Sequence, residues 1–218
     1  MSHRPRSHRR DAEETDASLV ARLTTFIEAE KTPSGPVDWV PDHSNFRFAI
    51  ALDIKGITVA GMLLHGRASL FPPERDITLG LSWNDPSGQG GNFERLDWRP
   101  IHAHNNKGLG PSEHRFILIE STHRHCLAAN AALAMGMRRA MAERLPVALP
   151  VEPDPPDWSS LLARAAHFWN LQGIVHISRK RGKSVGDGLF FLASIRRDGF
   201  YASHAAARPP FRAEPCRA

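Results

Sequence analysis

The chain has 218 residues, 41% of them hydrophobic and 23% charged, which is the composition of a globular protein with a real core and excludes a disordered or low-complexity chain. Two cysteines, Cys126 and Cys216, exclude a disulfide framework, and no apolar run approaches the ~18 residues of a membrane span. The net charge of +5 is uneven: residues 1–10 carry +4 and residues 179–218 carry +6, which leaves −5 on the body between them.

Residues 1–10 read as a disordered basic arm of Arg, His, Ser and Pro. No apolar segment follows it and acids begin at Asp11, so neither a signal nor a transit peptide is expected, and a cytoplasmic setting fits the two thiols. The main domain is expected over 11–145. It opens with a helix over 12–31, capped by Asp11-x-x-Glu14, with Leu19, Val20, Leu23, Phe26 and Ile27 on one face. Thr32 to Pro36 breaks the pattern.

Strands follow. Asn45–Ile54 and Ile57–Gly66 form a hairpin at Lys55-Gly56, and Asp76–Trp83 is a third strand. A loop spans 84–92, Arg95–His104 is the fourth strand and Arg115–Glu120 the fifth. Residues 126–145 have helix composition, weakened by Gly136. The proline-rich stretch 146–157 reads as a linker. A helix over 158–172 is capped by Asp157 and stopped by Gly173. It begins a C-terminal unit, 158–202, that ends in a basic hairpin with strands at 174–178 and 189–195; a loose tail covers 203–218. The fold class is therefore α+β: an antiparallel sheet of about five strands, flanking helices and a C-terminal two-stranded basic hairpin.

Chemistry concentrates between residues 102 and 125. His102, His104, His114, His123 and His125 are five of the twelve histidines. His102-x-His104 and His123-x-His125 each present two imidazoles to one side of a strand. His102, His104, His114 and His125 are the first choice for ligands of a divalent transition metal, with Asp97 or Glu113 as the carboxylate of an open shell. A second reading needs no metal: histidines as acid and base, with Arg115 and Arg124 stabilising developing charge, suit cleavage of a phosphodiester. A third makes the stretch a polar groove or a set of surface groups. Straight strands would hold His123 roughly 30 Å from His114. A shared site therefore requires the chain to reverse at Glu120–Thr122, and a His104–His125 separation under about 7 Å is its mark.

Arg179, Lys180, Arg181 and Lys183 form a basic loop that, with the N-terminal arm, suits RNA or DNA phosphates; as plain chemistry it is a solvated hairpin tip. Gly182-Lys183-Ser184 is no P-loop, because Ile177 stands where the first glycine must be. Cys126 beside His125 makes a poor nucleophile–base pair, because strand neighbours face opposite ways. The function expected is a nucleic-acid-associated, His-dependent phosphodiesterase or nuclease. The alternatives are a non-catalytic module that binds nucleic acid or a protein, or an acidic body that docks on a basic partner.

Overall fold

The computed structural model describes residues 14–70, 75–85, 88 and 90–178. The N-terminal arm, the basic loop with Arg179, Lys180, Arg181 and Lys183, the strand expected at 189–195 and the tail lie outside the described residues. So does Cys216.

Helix α1 spans Asp16–Glu28. It starts later than the expected residue 12, because Thr15 rather than Asp11 is the cap: its hydroxyl accepts from the Ser18 N–H at 3.2 Å. Strands β1 (Thr32–Pro33), β2 (Val40–Asp42), β3 (Asn45–Ile54), β4 (Ile57–Ser69), β5 (Ile77–Asn84) and β6 (Gly90–Trp98) follow. The β3–β4 hairpin turns at Lys55 and Gly56 as expected. Both have positive φ, 52° and 76°, which is the turn geometry that matches the twist of antiparallel strands.

Beyond Trp98 the chain leaves the sheet, so the expected strand over 95–104 ends early. It makes a small two-stranded ladder from β7 (His104–Asn105) and β8 (Leu118–Ile119), and Ser112–His114 is one turn of 3-10 helix. The expected strand over 115–120 is thus reduced to two residues outside the main sheet. The place beside β6 goes instead to β9 (His123–His125), and β10 (Leu149–Pro150) pairs with β9. The main sheet therefore has eight strands rather than about five, all paired antiparallel, in the order β1-β3-β4-β5-β6-β9-β10 with β2 also on β3.

The helix expected over 126–145 is broken into α2 (Leu127–Ala131) and α3 (Met137–Ala142). The break is at Gly136, whose φ of 79° no helix accommodates and whose missing side chain leaves room for the Asp16 carboxylate. Helix α4 spans Trp158–Trp169 and is capped by Asp157 as expected. It ends on Asn170 in the left-handed region rather than at Gly173. Residues 174–176, expected as strand, form a 3-10 turn. Two indoles hold the segment after it: Trp158 donates to the Ile177 carbonyl at 2.8 Å and Trp39 to that of Ser178 at 2.9 Å. None of the helices among the described residues is long and apolar enough to cross a membrane.

Alternation along the strands divides the sheet into two faces. One face carries Leu64, Leu79, Leu81, Phe93, Leu96 and Trp98, packed in one core with Leu19, Leu23 and Phe26 of α1 and Leu161, Leu162 and Trp169 of α4. A buried ionic knot sits in that core. Glu94, 1% exposed, accepts from Arg124 at 2.8 Å, from the Trp169 indole at 3.0 Å and from the Leu127 N–H at 2.7 Å. Arg124 also lies over the Phe168 ring. Removing one partner of such a knot strands the others without compensation. Glu94→Ala should therefore lose roughly 3–5 kcal/mol of stability in urea unfolding; a loss under about 1 kcal/mol would mean that the knot is not buried as described.

Candidate metal centre

The second face of the sheet is polar, and its residues lie in two cross-strand rows. One row runs Arg47, Arg67, Thr78, Asp97, His123 over β3, β4, β5, β6 and β9. The next runs Ala49, His65, Gly80, Arg95, His125 over the same strands. His123 and His125 project from β9 onto this face for the reason read from the sequence: residues two apart on a strand share a side. Arg124 between them points to the core instead, where it meets Glu94.

His104 arrives from outside the sheet. It stands on β7, and the reversal between β8 and β9, through Glu120–Thr122, brings β9 back beneath it. The three rings meet: centroids are 4.8 Å apart for His104–His125, 5.4 Å for His104–His123 and 5.2 Å for His123–His125. One ligand nitrogen from each lies within 4.8 Å of the others. The His104–His125 spacing is below the roughly 7 Å that marks a shared site.

Three consecutive carbonyls orient this group. Leu145 O accepts from His125 Nδ1 at 2.6 Å, Pro146 O lies 3.0 Å from His104 Nε2, and Arg144 O accepts from Arg95 Nη1 at 2.8 Å. Arg144 and Leu145 reach these positions with φ of 61° and 58°, in the left-handed region that side chains disfavour. Two buried asparagine amides hold the strip from behind. Asn106 exchanges hydrogen bonds with both the N–H and the C=O of Ala148, and Asn130 does the same with Val147. Asn106 Oδ1 also lies 3.0 Å from His104 Nε2, and its amide nitrogen is already committed to His114 O and Ala148 O.

These partners fix the tautomers. A neutral imidazole has one N–H. His125 spends it on Leu145 O and His123 spends it on Ser121 O at 2.9 Å, so both leave Nε2 as a lone pair. His104 faces two acceptors with Nε2, so Nδ1 is its lone pair. Asp97 Oδ2 adds a fourth Lewis base, 3.4 Å from His123 Nε2 and 3.3 Å from His125 Nε2. The three histidines form a group that could hold a cation. The locked second nitrogens are the outer-shell arrangement that metal-binding histidines use. One cation is present from the chain itself: Arg95 donates to Asp97 through Nε at 2.9 Å and reaches His125 Nε2 through Nη2 at 2.5 Å.

Charge states follow from the surroundings. Burial pushes His125 down to about 4, and the Arg95 charge acts in the same direction. Burial also lowers His104. Burial alone would raise the Asp97 carboxyl, but hydrogen bonds from His123 and His125, donated through Nε2 when those rings carry a proton there, and the Arg95 charge hold it well below the usual carboxylate range. Near neutral pH His104 and His125 are thus neutral imidazoles beside an ionised carboxylate.

The other sequence candidates lie elsewhere. His102 is exposed on the wall of the adjoining cleft. His114 is in the 3-10 turn, outside the three-histidine group, with its carbonyl on Asn106. Arg115 donates to Gly110 O in the same loop. Glu113 is exposed and bonded to Ser112. Arg95 and the 144–146 carbonyls carry the site without having been picked out from the sequence. Arg95-x-Asp97 repeats the i, i+2 spacing of His123-x-His125 and is the one signal that pointed to its neighbour.

No family model, curated protein or solved structure matches this chain.

A depressed histidine pKa makes stability fall with acid, because the unfolded chain takes up the proton first. For His125 that window runs from 6.5, the ordinary value, down to about 4, and the contribution at stake is roughly 3 kcal/mol. Metal-free protein should therefore melt progressively lower as pH falls through this window, before carboxylate titration sets in. A flat melting temperature between pH 7 and pH 4.5 would contradict the buried neutral imidazole.

Proposed function

We propose that the protein is a metal-dependent phosphodiesterase acting on RNA or DNA, with His104, His123 and His125 as ligands of one divalent transition ion. The observation that carries this reading is the meeting of three imidazoles, one ligand nitrogen of each within 4.8 Å of the others. Imidazole is the ligand type that suits zinc and its neighbours, and three protein ligands leave a position for water or substrate. His104 and His123 line a cleft of about 980 Å3, which gives that open position access from solvent. An ion there would lower the pKa of bound water and polarise a phosphoryl oxygen. Asp97, beside two of the ligands, would orient the attacking water or join the shell. A cytoplasmic setting remains our reading, consistent with the buried free thiol of Cys126.

One observation favours a metal-free variant. Arg95 contacts His125 Nε2 directly, so the cluster can be read as acid–base histidines with an arginine charge beside them. The two readings separate on metal. Protein stripped with chelator and reloaded should take up one zinc per chain, and His123→Ala with His125→Ala should abolish the uptake. Because a metal must take the His125 lone pair from Arg95, Arg95→Ala should tighten zinc binding roughly tenfold. Zinc uptake that is absent, or indifferent to the histidines, would leave the metal-free chemistry in its place. The binding-module alternative rests on Arg179 to Lys183, outside the described residues.

A further inference from the structure

The excursion between β6 and β9 carries an apolar surface that the other described residues leave open. Phe116, Ile117 and Leu118 are 79%, 38% and 60% exposed, and Ile119 is the one member of this apolar run that is buried, at 3%. Neighbours on an extended chain face opposite sides, so a run with one covered side should expose every second residue. Three exposed in succession leave both sides open. A contiguous apolar patch of this kind marks an interaction surface. It continues into a hollow of about 370 Å3, lined by Leu109, Pro111, Ala129, Ala132 and Leu133 and rimmed by Arg115. Phe116 lies against Gly108 of the same lining: a Cβ there would stand 3.2 Å from the ring.

The backbone is open as well. β8 pairs with β7 alone, in a sheet of two strands, so its outer edge has no ladder among the described residues. Edges of this kind accept another chain unless charge or proline blocks them. Here the charges flank the apolar run instead of interrupting it. Arg115 precedes it and Glu120 follows it, both exposed. Arg115 spends Nε on Gly110 O at 2.8 Å, and neither it nor Glu120 makes an ion pair among the described residues. Glu113, the other acid nearby, is bonded to Ser112.

These ends decide what fits. The stretch 115–120 is cationic at one end, apolar in the middle and anionic at the other. A two-fold axis across the run sets the Arg115 end of one copy against the Glu120 end of the next, twice, while the apolar residues meet at the centre. We propose that residues 115–120 form the core of a two-fold homodimer interface, in which Phe116, Ile117 and Leu118 pack against a second copy of this chain and the Arg115 and Glu120 ends pair across it. The same ladder carries His104 on β7, so a second copy seated there also braces one of the three histidines. The contact itself does not depend on the metal reading.

Sedimentation equilibrium of the full chain over a range of concentrations tests this. Wild-type protein should be a dimer that dissociates on dilution. Phe116→Ser and Leu118→Ser should each raise the dissociation constant roughly tenfold or more, as truncations at the centre of an interface do. Arg115→Glu and Glu120→Arg should each weaken the dimer, because each sets like charges face to face. Both changes in one chain should restore it, and mixing the two single variants should give a heterodimer. Loss of folding cannot mimic that rescue. A monomeric wild type overturns the proposal, whether residues 189–195 of the same chain, a lipid surface or nothing covers the run. So does a dimer that the apolar or the charge substitutions leave unchanged, or a charge exchange that fails to restore it.

Discussion

The site depends on one short strip of backbone. Arg144, Leu145 and Pro146 turn three successive carbonyls toward Arg95, His125 and His104. Carbonyls of adjacent residues do not converge in a helix or a strand. Here they do because Arg144 and Leu145 adopt left-handed conformations, which cost free energy without glycine. Asn106 and Asn130 offset that cost by giving Val147 and Ala148 the hydrogen bonds a neighbouring strand would supply. Without the strip, His104 and His125 would lose the carbonyls that orient them.

The sheet supplies the second requirement, which is rigidity. Strands β6 and β9 contribute to both faces by simple alternation. Glu94 and Leu96 face the core while Arg95 and Asp97 face the site, and Arg124 faces the core between His123 and His125. The ionic knot of Glu94 and Arg124 thus anchors the same backbone that carries the candidate ligands. Lys31 shows the same economy at the other end of the helices: it is 1% exposed, and its ammonium meets the carbonyls of Ile27, Ala29 and Trp169, joining the ends of α1 and α4. Among the described residues, the buried charges of Lys31, Glu94 and Arg124 fix helix ends and strands.

Much of this was legible in the residues. Periodicity located α1, α4, the β3–β4 hairpin and β5, and the His-x-His spacing put His123 and His125 on one face. What failed was local patterning where long-range contacts decide. The 99–122 excursion has strand-like runs, yet only four of its residues enter a ladder, because His104 and Asn106 are held by the 146–148 backbone rather than by neighbouring strands. Gly136 split a segment of good helix composition because α1 needs the space that a side chain would fill. Asp97 was visible as a candidate carboxylate. Arg95 was not, since only the cross-strand register places it opposite His125. The carbonyl strip has no side-chain signature at all.

The measurement closest to the central claim is X-ray absorption at the zinc edge of the reconstituted full chain. Three imidazole nitrogens at about 2.0–2.1 Å, with an oxygen ligand completing the coordination, are the result this account predicts. A shell of oxygens alone, or fewer than two imidazoles, would show that the converging histidines are not the ligands and that Arg95 is the only cation they hold.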